Sequence, residues 1–239
     1  MKGIILAGGS GTRLKPLTEV VHKHLLPIGN KPMVCYPIEK LVRMGIKDII
    51  LVVNDPNYIR VLKDGKQFGT DVTITYIYQE KPAGIAQAVD LCKSFISTEE
   101  WFVVALADNI IEEDFKIPYF KKGCIVFLKE VGNPNAYGVV ELDKKGELIG
   151  AVEKPVNPPS NLALMGLYAF NNKFFRYFET LKPSARGEYE ITDIIRKYIN
   201  DGNAQYIITK GKWYDCGQNL QSYLEISAKF VEKQKGESK

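Results

Sequence analysis

A glycine-rich stretch near the start of the chain carries the first candidate chemistry. The apolar residues 4–7 lead into Gly8, Gly9 and Gly11, and Arg13 follows two positions later. Glycines let backbone N–H groups approach a ligand closely and line a concave anion site, and the fork of donors on an arginine matches phosphate oxygens. The stretch predicts a nucleotide triphosphate site, with an ordinary glycine-rich turn after a first strand as the alternative.

The same residues exclude two familiar phosphate-binding loops. A P-loop ends in Gly-Lys-Ser or Gly-Lys-Thr, and no such tripeptide follows Gly11. A dinucleotide-binding turn carries a further glycine three positions after Gly11, where this chain has Leu14. The stretch therefore indicates neither a Walker-type ATPase loop nor a Rossmann dehydrogenase turn.

Two aspartates are candidate metal ligands. Asp108 follows the apolar run 102–107, and Asp215 ends a short predicted strand before Cys216 and Gly217. Mg²⁺ typically uses one or two carboxylates together with phosphate oxygens and waters. Each aspartate alone also suits a helix N-cap. As a pair beside a triphosphate, they would hold the metal that offsets charge during displacement at phosphorus.

Lys23 is a second candidate phosphate cation. It lies ten residues beyond Arg13, close enough for both to face one triphosphate. A solvated surface lysine is the alternative. The neighbours of Lys23 are His22 and His24, the only histidines in the chain, and we expect no catalytic role for either.

Glu153, Lys154 and Gly138 are candidates for a sugar phosphate. The residue before Pro155 favours an extended conformation, so Glu153 could accept sugar hydroxyls while Lys154 holds a phosphate. Gly138 could bring its backbone amide to a sugar hydroxyl. A charged loop at Glu153 and Lys154, and a bulge or edge position at Gly138, are the alternatives.

Composition excludes several classes of protein. The chain has 239 residues, of which 45% are hydrophobic and 25% charged, and a net charge of +4 without a long Lys/Arg run. Such a balance favours a phosphate-binding cleft over a nucleic-acid surface. The four scattered cysteines argue against zinc and disulfides and favour the cytoplasm. We expect no signal peptide, and no apolar run approaches the ~20 residues of a membrane span.

The elements that must position these residues alternate in the first half of the chain. Strands predicted at 4–7, 48–53, 72–78 and 101–107 are separated by helices predicted from about residue 32, at 56–66 and before residue 90. This order predicts a parallel doubly wound sheet, in which ligands bind beyond the carboxyl ends of the strands. The glycine stretch, Gln79 and Asp108 all follow strand ends, so they should converge on one edge of the sheet.

The second half of the chain predicts a mixed sheet. Strands are expected at 124–131, 138–142, 148–152, 164–170 and 204–209, with helices at 185–200 and 220–233 and a frayed tail at 236–239. We predict one α/β domain over 1–239. Residues 1–120 would mainly bind nucleotide, residues 121–217 would mainly bind sugar phosphate, and residues 218–239 would form a C-terminal helix and tail.

Eight motifs occur in order along the chain. They are LAGGSGTRLKPLT, KHLLPIGNKPM, QEKPAGIAQA, ADNI, YGVV, VEKP, GLY and RGEYEITD. In these motifs the chain resembles the sugar-phosphate nucleotidyltransferases, and among them most closely the glucose-1-phosphate thymidylyltransferases. The resemblance extends from residue 2 to about residue 223 and implies a Rossmann-like fold with helices on both faces of the sheet and a small sugar-binding subregion.

The resemblance implies a role for each matching residue. Nucleotide binding would fall to Leu6, Gly8, Gly9, Gly11, Thr12, Arg13, Gln79, Gly84 and Asp108, with Gln79 and Gly84 at the pyrimidine base. Sugar phosphate binding would fall to Gly138, Glu153, Lys154 and Tyr168. Mg²⁺ would be held by Asp108 and Asp215. The catalytic cations would be Arg13, Lys23 and Lys154.

The implied reaction joins dTTP and glucose 1-phosphate to give dTDP-glucose and pyrophosphate. A sugar phosphate is already an anionic nucleophile, so the absence of a predicted catalytic histidine agrees with this chemistry. The resemblance also implies a homo-oligomer, either a dimer or a tetramer. The chain differs from the family pattern at Ala107, Cys216 and Gln218.

Two alternatives stay open at this stage. UTP differs from dTTP by one ring methyl and one ribose hydroxyl, and a methyl is worth only about 1–3 kcal/mol in a pocket. A uridylyltransferase or a dual-specificity enzyme therefore fits the same motifs. A non-catalytic subunit that binds nucleotide sugars is the more distant alternative.

Overall fold

The computed structural model describes residues 1–115 and 122–237. The strands of these residues, in chain order, are β1 (Lys2–Ala7), β2 (Pro27–Ile28), β3 (Lys31–Pro32), β4 (Asp48–Val53), β5 (Thr73–Tyr78), β6 (Trp101–Leu106), β7 (Asn109–Ile111), β8 (Cys124–Glu130), β9 (Gly138–Leu142), β10 (Leu148–Glu153), β11 (Leu162–Asn171), β12 (Ala204–Ile208) and β13 (Trp213–Asp215). The α-helices are α1 (Cys35–Arg43), α2 (Asn57–Leu62), α3 (Ile85–Asp90), α4 (Lys173–Phe178), α5 (Ile191–Asn200) and α6 (Leu220–Glu237).

Four parallel strands form one half of the central sheet. β1 pairs with β4 on one side and with β6 on the other, and β5 continues the sheet beyond β4. The inner strands β1, β4 and β6 are apolar on both faces because helices cover both sides of a parallel sheet, whereas the edge strand β5 contains two threonines and two tyrosines and is less buried. The carboxyl ends of β1, β5 and β6 lie at one edge, and the residues that follow them include the glycine stretch, Gln79 and Asp108.

The other half of the sheet is mostly antiparallel. β11 pairs antiparallel with β6, β8 and β9, while β9 and β10 form an antiparallel hairpin and β12 runs parallel to β8. At the hairpin turn, Asp143 Oδ1 accepts hydrogen bonds from the backbone N–H groups of Lys145 and Glu147 at 2.8 Å each. The sheet is therefore mixed, and the predicted fold class is confirmed.

Helices pack on both faces of this sheet. One apolar cluster joins the sheet to α3, α4 and α5 through residues such as Val89, Phe174 and Ile194. The opposite cluster joins it to α1 and α2 through residues such as Leu41 and Tyr58. The predicted arrangement of helices on both faces is thus confirmed, and in the described ranges no helix is long and apolar enough to cross a bilayer.

Several predicted element bounds are wrong. The helix predicted from about residue 32 begins at Cys35, because residues 27–28 and 31–32 form the small β2–β3 pair. The helix predicted over 185–200 begins at Ile191, since Gly187 has a φ of 75° and lies in a turn. The helix predicted over 56–66 ends at Leu62, where Lys63 has a φ of 50°.

The structure adds elements that the sequence did not predict. The strand β7 and the helix α4 were both missed, and α6 continues past the predicted end of the helix to Glu237. Residues 238 and 239 of the predicted tail lie outside the described residues, as does the predicted boundary between 120 and 121. The division of the domain into nucleotide and sugar regions stays a prediction.

Candidate active site

Two adjoining cavities at the carboxyl ends of the parallel strands are lined by every residue that was predicted to bind nucleotide, sugar phosphate or metal or to act in catalysis. The large cavity, of about 420 Å³, is lined among others by Gly9, Gly11, Thr12, Arg13, Lys23, Asp108, Gly138, Glu153, Lys154, Tyr168 and Asp215. The small cavity, of about 250 Å³, is lined among others by Leu6, Gly8, Gln79 and Gly84. Gly9, Lys23 and Asp108 line both cavities, so they lie where the two meet.

The glycine stretch forms the wall between β1 and the large cavity. Gly11 has a φ of 68°, and a side chain there would meet Lys23 Cβ at 2.8 Å. Asn54 Nδ2 donates to Gly8 O at 2.7 Å, and Thr18 Oγ1 donates to Gly11 O at 2.9 Å. Because these carbonyls are already bonded to side chains of the protein, the loop is held in a conformation suited to offering N–H groups to an anion.

A buried polar network supports the end of β1 beneath this loop. Tyr58 OH lies 2.5 Å from His22 Nδ1, 3.0 Å from His24 Nδ1 and 3.2 Å from Ala7 O. His24 Nδ1 itself lies 3.2 Å from Ala7 O. A carbonyl only accepts and a hydroxyl has one proton, so Tyr58 donates either to Ala7 O or to His22 Nδ1, while the Nδ1–H group of His24 can donate to Ala7 O.

The surroundings of both histidines favour the neutral imidazole, most strongly for His24. Burial lowers the pKa of His22 and lowers that of His24 well below its ordinary value, and the nearby Lys23 ammonium acts on both in the same direction. The sequence predicted no catalytic role for them, and the structure gives them a structural one. The sequence contained one signal for this structural role, since His22 and His24 flank Lys23, which was predicted to contact phosphate.

Lys23 and Asp108 form an ion pair where the cavities meet. Lys23 Nζ lies 2.7 Å from Asp108 Oδ2, and their side chains are 13% and 16% exposed. Burial alone would raise the pKa of Asp108, but the Lys23 ammonium and the donor Asn109 hold it well below its ordinary value. Asp108 is thus ionised over the physiological pH range.

Asp215 is brought beside Asp108 by pairing of distant segments. β13 pairs antiparallel with β7, which places Asp215 opposite Asn109, and Cys216 N–H donates to Asp108 O at 2.9 Å. Position 217 has room only for a glycine, because a Cβ there would collide with Asp108 Oδ2. Cys216 is buried in an apolar cluster with α6, so its departure from the family pattern affects packing under the site.

The two aspartates together fit a divalent cation. Burial and the Asp108 carboxylate raise the pKa of Asp215 to about 6, while the Gly217 N–H and the charges of Lys23 and Arg13 act in the opposite direction. Two half-buried carboxylates that repel each other are hard oxygen donors for which a cation is a favourable partner. No group of three or more metal-ligating side chains occurs in the described ranges. Mg²⁺ typically binds one or two carboxylates, and phosphate oxygens and waters complete its coordination.

The opposite wall of the large cavity combines Glu153 with two cations. Glu153 Oε1 lies 3.8 Å from Lys154 Nζ and 3.9 Å from Arg186 Nη2. Burial and the neighbouring Glu190 raise the pKa of Glu153, while the two cations act against that shift. A carboxylate in this setting accepts hydrogen bonds from neutral hydroxyl groups while the lysine remains available to an anion.

The backbone of this wall is strained at Lys154. The extended conformation predicted for the residue before Pro155 is wrong, because Lys154 has a φ of 41°, which is uncommon for a residue with a side chain. The Lys154 N–H donates to Tyr137 O at 3.0 Å. A side chain at Gly138 would lie 3.1 Å from Glu153 Oε2. Tyr168 lies in the floor of the cavity, 2% exposed, so it contributes shape more than accessible polar surface.

The cavities also contain residues that the sequence analysis did not single out. Beyond His24, the ones that carry polar groups are Ser10, Asn109, Tyr137, Glu188 and Trp213. Asn109 adjoins Asp108 and Trp213 precedes Asp215 by two positions. Their closeness to the predicted metal ligands was the signal that could have identified them.

Comparisons with known proteins agree on one kind of protein. A family model described as "Nucleotidyl transferase" matches residues 2–233. The glucose-1-phosphate thymidylyltransferase of Neisseria meningitidis is 40% identical, over 97% of this chain and 83% of that protein.

Two solved structures are similar over almost their whole length. One is a putative glucose-1-phosphate thymidylyltransferase from Bacillus anthracis in complex with sucrose, with a TM-score of 0.88, 40% identity and coverage of 97% of this chain and 95% of that one. The other is a UDP-glucose pyrophosphorylase complexed with UDP-glucose, with a TM-score of 0.84, 27% identity and coverage of 97% and 98%.

Proposed function

The chain belongs to the nucleotidyl transferase family, and on that premise we propose that it joins dTTP and glucose 1-phosphate to give dTDP-glucose and pyrophosphate. Relatives at 40% identity support nucleotidyl transfer to a sugar 1-phosphate. That the nucleotide is dTTP and the sugar phosphate is glucose 1-phosphate is proposed here, and the substrate panel described below tests it.

One observation carries the proposal. Arg13, Lys23 and Lys154 line the same cavity as the paired carboxylates of Asp108 and Asp215. Three cations around one space are suited to two phosphate-bearing substrates, whose mutual repulsion is the main barrier to their reaction. The two carboxylates are suited to the metal that accompanies a nucleoside triphosphate.

The proposed reaction is an in-line displacement at the α-phosphorus of dTTP. An oxygen of the sugar phosphate forms the new P–O bond, and the bond to the β-phosphate oxygen breaks as pyrophosphate leaves. The nucleophile is already an anion, so no side chain has to remove a proton. Lys154 would orient the sugar phosphate, Lys23 would contact the phosphates around the reacting phosphorus, and Arg13 would stabilise the pyrophosphate.

Asp108 and Asp215 would hold Mg²⁺ beside the triphosphate. When bound, the cation supplies positive charge to the phosphate oxygens. Lys23 Nζ, which contacts Asp108 Oδ2 at 2.7 Å, would then share that carboxylate with the metal or shift to a phosphate oxygen. In this way the Lys23–Asp108 pair keeps the carboxylate oriented and ionised before the nucleotide arrives.

The sugar and the base would lie on opposite sides of the reacting phosphorus. Gly138, Glu153, Lys154 and Tyr168 line the side of the large cavity proposed for the sugar phosphate. Leu6, Gly8, Gln79 and Gly84 line the small cavity, where the nucleoside would bind.

The four cysteines are buried and none forms a disulfide, which supports a cytoplasmic location as part of this proposal.

A pyrophosphate-release assay tests the proposal. The enzyme is offered dTTP, UTP, CTP, ATP or GTP with each of several sugar 1-phosphates, with Mg²⁺ and with excess EDTA. We expect the highest kcat/KM for dTTP with glucose 1-phosphate and no turnover in EDTA. If none of the pairs releases pyrophosphate, the proposal is wrong and a subunit that only binds nucleotide sugars replaces it.

A UTP-dependent enzyme is the second candidate. The observation that favours it is the similarity to a UDP-glucose pyrophosphorylase, with a TM-score of 0.84. A higher kcat/KM for UTP than for dTTP in the same assay would support this candidate. Comparable values for both nucleotides would indicate dual specificity.

A further inference from the structure

Asn109 lies between the indole of Trp213 and the carboxylate of Asp108. Trp213 Nε1–H donates to Asn109 Oδ1 at 2.6 Å, and Asn109 Nδ2–H donates to Asp108 Oδ1 at 2.8 Å. Resting on the function proposed above, we propose that Asn109 is a positioning residue that orients Asp108 for metal binding, and that Trp213 fixes the orientation of Asn109.

The direction of the Asn109 amide follows from its partners. An indole N–H only donates, so the atom of Asn109 that faces it must be the carbonyl oxygen. The amide nitrogen is then left facing Asp108 Oδ1, and an ionised carboxylate only accepts. The reverse orientation would set two acceptors against each other at Asp108 and two donors against each other at Trp213.

This arrangement determines which parts of the Asp108 carboxylate remain available. Oδ1 accepts from Asn109, and Oδ2 accepts from Lys23 at 2.7 Å. With one donor on each oxygen, the plane of the carboxylate is fixed from both sides. Each oxygen keeps a further lone pair, so the carboxylate is oriented without being closed to a cation.

The surrounding structure leaves Asn109 little freedom. The residue is 7% exposed and lies on β7, opposite Asp215 in the register with β13. Gly166 has a φ of 52°, and a side chain there would meet Asn109 Oδ1 at 2.8 Å. Space for the amide is therefore kept by a glycine, and one strand pair holds Asn109, Asp215 and Trp213 together.

Trp213 links this arrangement to the sugar side of the large cavity. Its ring centroid lies 5.1 Å from that of Tyr137, and both residues line the cavity. Trp213 is thus part of the wall against which a sugar would bind, and through Asn109 it also orients the Asp108 carboxylate on the metal side. Gln218 Nε2 donates to Tyr137 OH at 3.0 Å, which provides a matched hydrogen bond in the same wall that does not lead to Asp108.

The test uses Asn109→Leu, Trp213→Phe and the double variant, with Gln218→Leu as the control. Asn109→Leu removes the donor to Asp108, while Trp213→Phe keeps an aromatic ring against Tyr137 and removes the donor to Asn109 together with part of the indole. Affinity for Mn²⁺, a probe for Mg²⁺, is measured by electron paramagnetic resonance with an α,β-methylene analogue of dTTP. Turnover and thermal unfolding are measured in parallel.

We expect each single variant to lose about 10-fold or more in Mn²⁺ affinity and in kcat, the range for partners of metal-binding groups. Because Trp213 acts through Asn109, adding Trp213→Phe to Asn109→Leu should cause no further loss of Mn²⁺ affinity. Gln218→Leu should bind Mn²⁺ as the wild type does. Trp213→Phe keeps the test decisive if Asn109→Leu does not fold.

Two results would overturn the inference. One is Mn²⁺ affinity within twofold of the wild type in both single variants, and the other is losses that multiply in the double variant. If the wild type itself binds no Mn²⁺ with the analogue and releases no pyrophosphate, the proposed function fails together with this inference. Wild-type activity combined with unaffected variants contradicts only the role of Asn109.

Discussion

At the scale of single residues, Gln79 approaches the glycine stretch so closely that position 8 has no room for a side chain. A Cβ at Gly8 would collide with Gln79 Oε1. Gln79 is 3% exposed, and its Nε2–H donates to Gln87 Oε1 at 2.8 Å, so the amide cannot move aside freely. Gly8 is therefore needed for a contact between the ends of β1 and β5, which β4 separates in the sheet, beyond the freedom it gives the loop.

Replacing Gly8 by alanine should impair nucleotide binding. The new methyl group displaces Gln79, the proposed contact to the base, and such overpacking costs about 1–3 kcal/mol. We expect KM for the nucleoside triphosphate to rise about 10-fold or more in Gly8→Ala, measured by pyrophosphate release. The matched control is Gly132→Ala, because a Cβ at Gly132 meets nothing within 4 Å; an equal effect in both variants would contradict this account.

Removing the guanidinium of Arg13 should reduce turnover more than it reduces binding. Arg13 lines the large cavity and its charge acts on Asp215, and one electrostatic contact to a transition state is typically worth about 10²-fold in kcat. We expect that loss for Arg13→Ala, and for Asp108→Asn, in steady-state assays. Lys15→Ala is the control in the same loop, since Lys15 is 60% exposed and pairs with Glu19. Near-normal turnover by Arg13→Ala would contradict the proposed mechanism.

At the scale of elements, α6 supports the site from beneath. Its apolar residues Tyr223, Ile226 and Phe230 join a cluster with Leu14 and Cys216. Leu14 directly follows Arg13, and Cys216 directly follows Asp215. The helix therefore packs on the two segments that carry a proposed phosphate cation and a proposed metal ligand, which joins its stability to the geometry of the site.

Truncating Phe230 should destabilise both the fold and the site. The side chain is 8% exposed and packs edge-to-face on Tyr36 and Tyr214, and buried Phe→Ala changes cost about 3–5 kcal/mol. We expect Phe230→Ala to lower the free energy of unfolding by about 3 kcal/mol in urea titrations. Leu224→Ala on the same helix, where the side chain is 51% exposed, should change it by less than ~0.5 kcal/mol. Equal losses would show that the cluster does not anchor α6.

At the scale of the whole molecule, stability is linked to pH through groups buried around the cavities. His24 is buried and His22 is half-buried, and burial lowers the pKa of both. Below about pH 6.5 the unfolded chain binds protons that the folded chain does not, so their contribution falls as pH falls. Burial raises the pKa of Asp215 and of Glu153. As pH falls, the folded chain therefore protonates these carboxyls before the unfolded chain does, and their contribution to stability rises.

Comparing the wild type with His24→Gln separates these effects. The carboxyl contributions are shared by both proteins, so they cancel in the difference between the two free energies of unfolding. We expect the wild type to lose stability relative to His24→Gln as pH falls from 7.5 to 5, with a slope of at most ~1.4 kcal/mol per pH unit. Urea titrations at several pH values measure it. A difference that does not change with pH would mean that His24 is not buried neutral.

Much of the fold and of the candidate site could be predicted because the signals are local. Apolar runs separated by helical patterns predict a parallel sheet, and the carboxyl ends of its strands meet at one edge. The glycine stretch, Gln79 and Asp108 could therefore be placed together without coordinates. The helix beginnings near 32 and 185 were wrong because proline and charged residues there form a small strand pair and a turn.

The sequence by itself determined the fold class and identified the candidate site residues that line the two cavities, since each depends on an apolar pattern or on a motif a few residues long. Only the tertiary structure decided how the site is held. The β7–β13 pairing joins segments about 100 residues apart, and it sets Asp215 opposite Asn109 and Trp213 against the same amide. Likewise, Tyr58 reaches two histidines 34 and 36 positions away. Such contacts depend on how separate elements pack, and no local pattern encodes them.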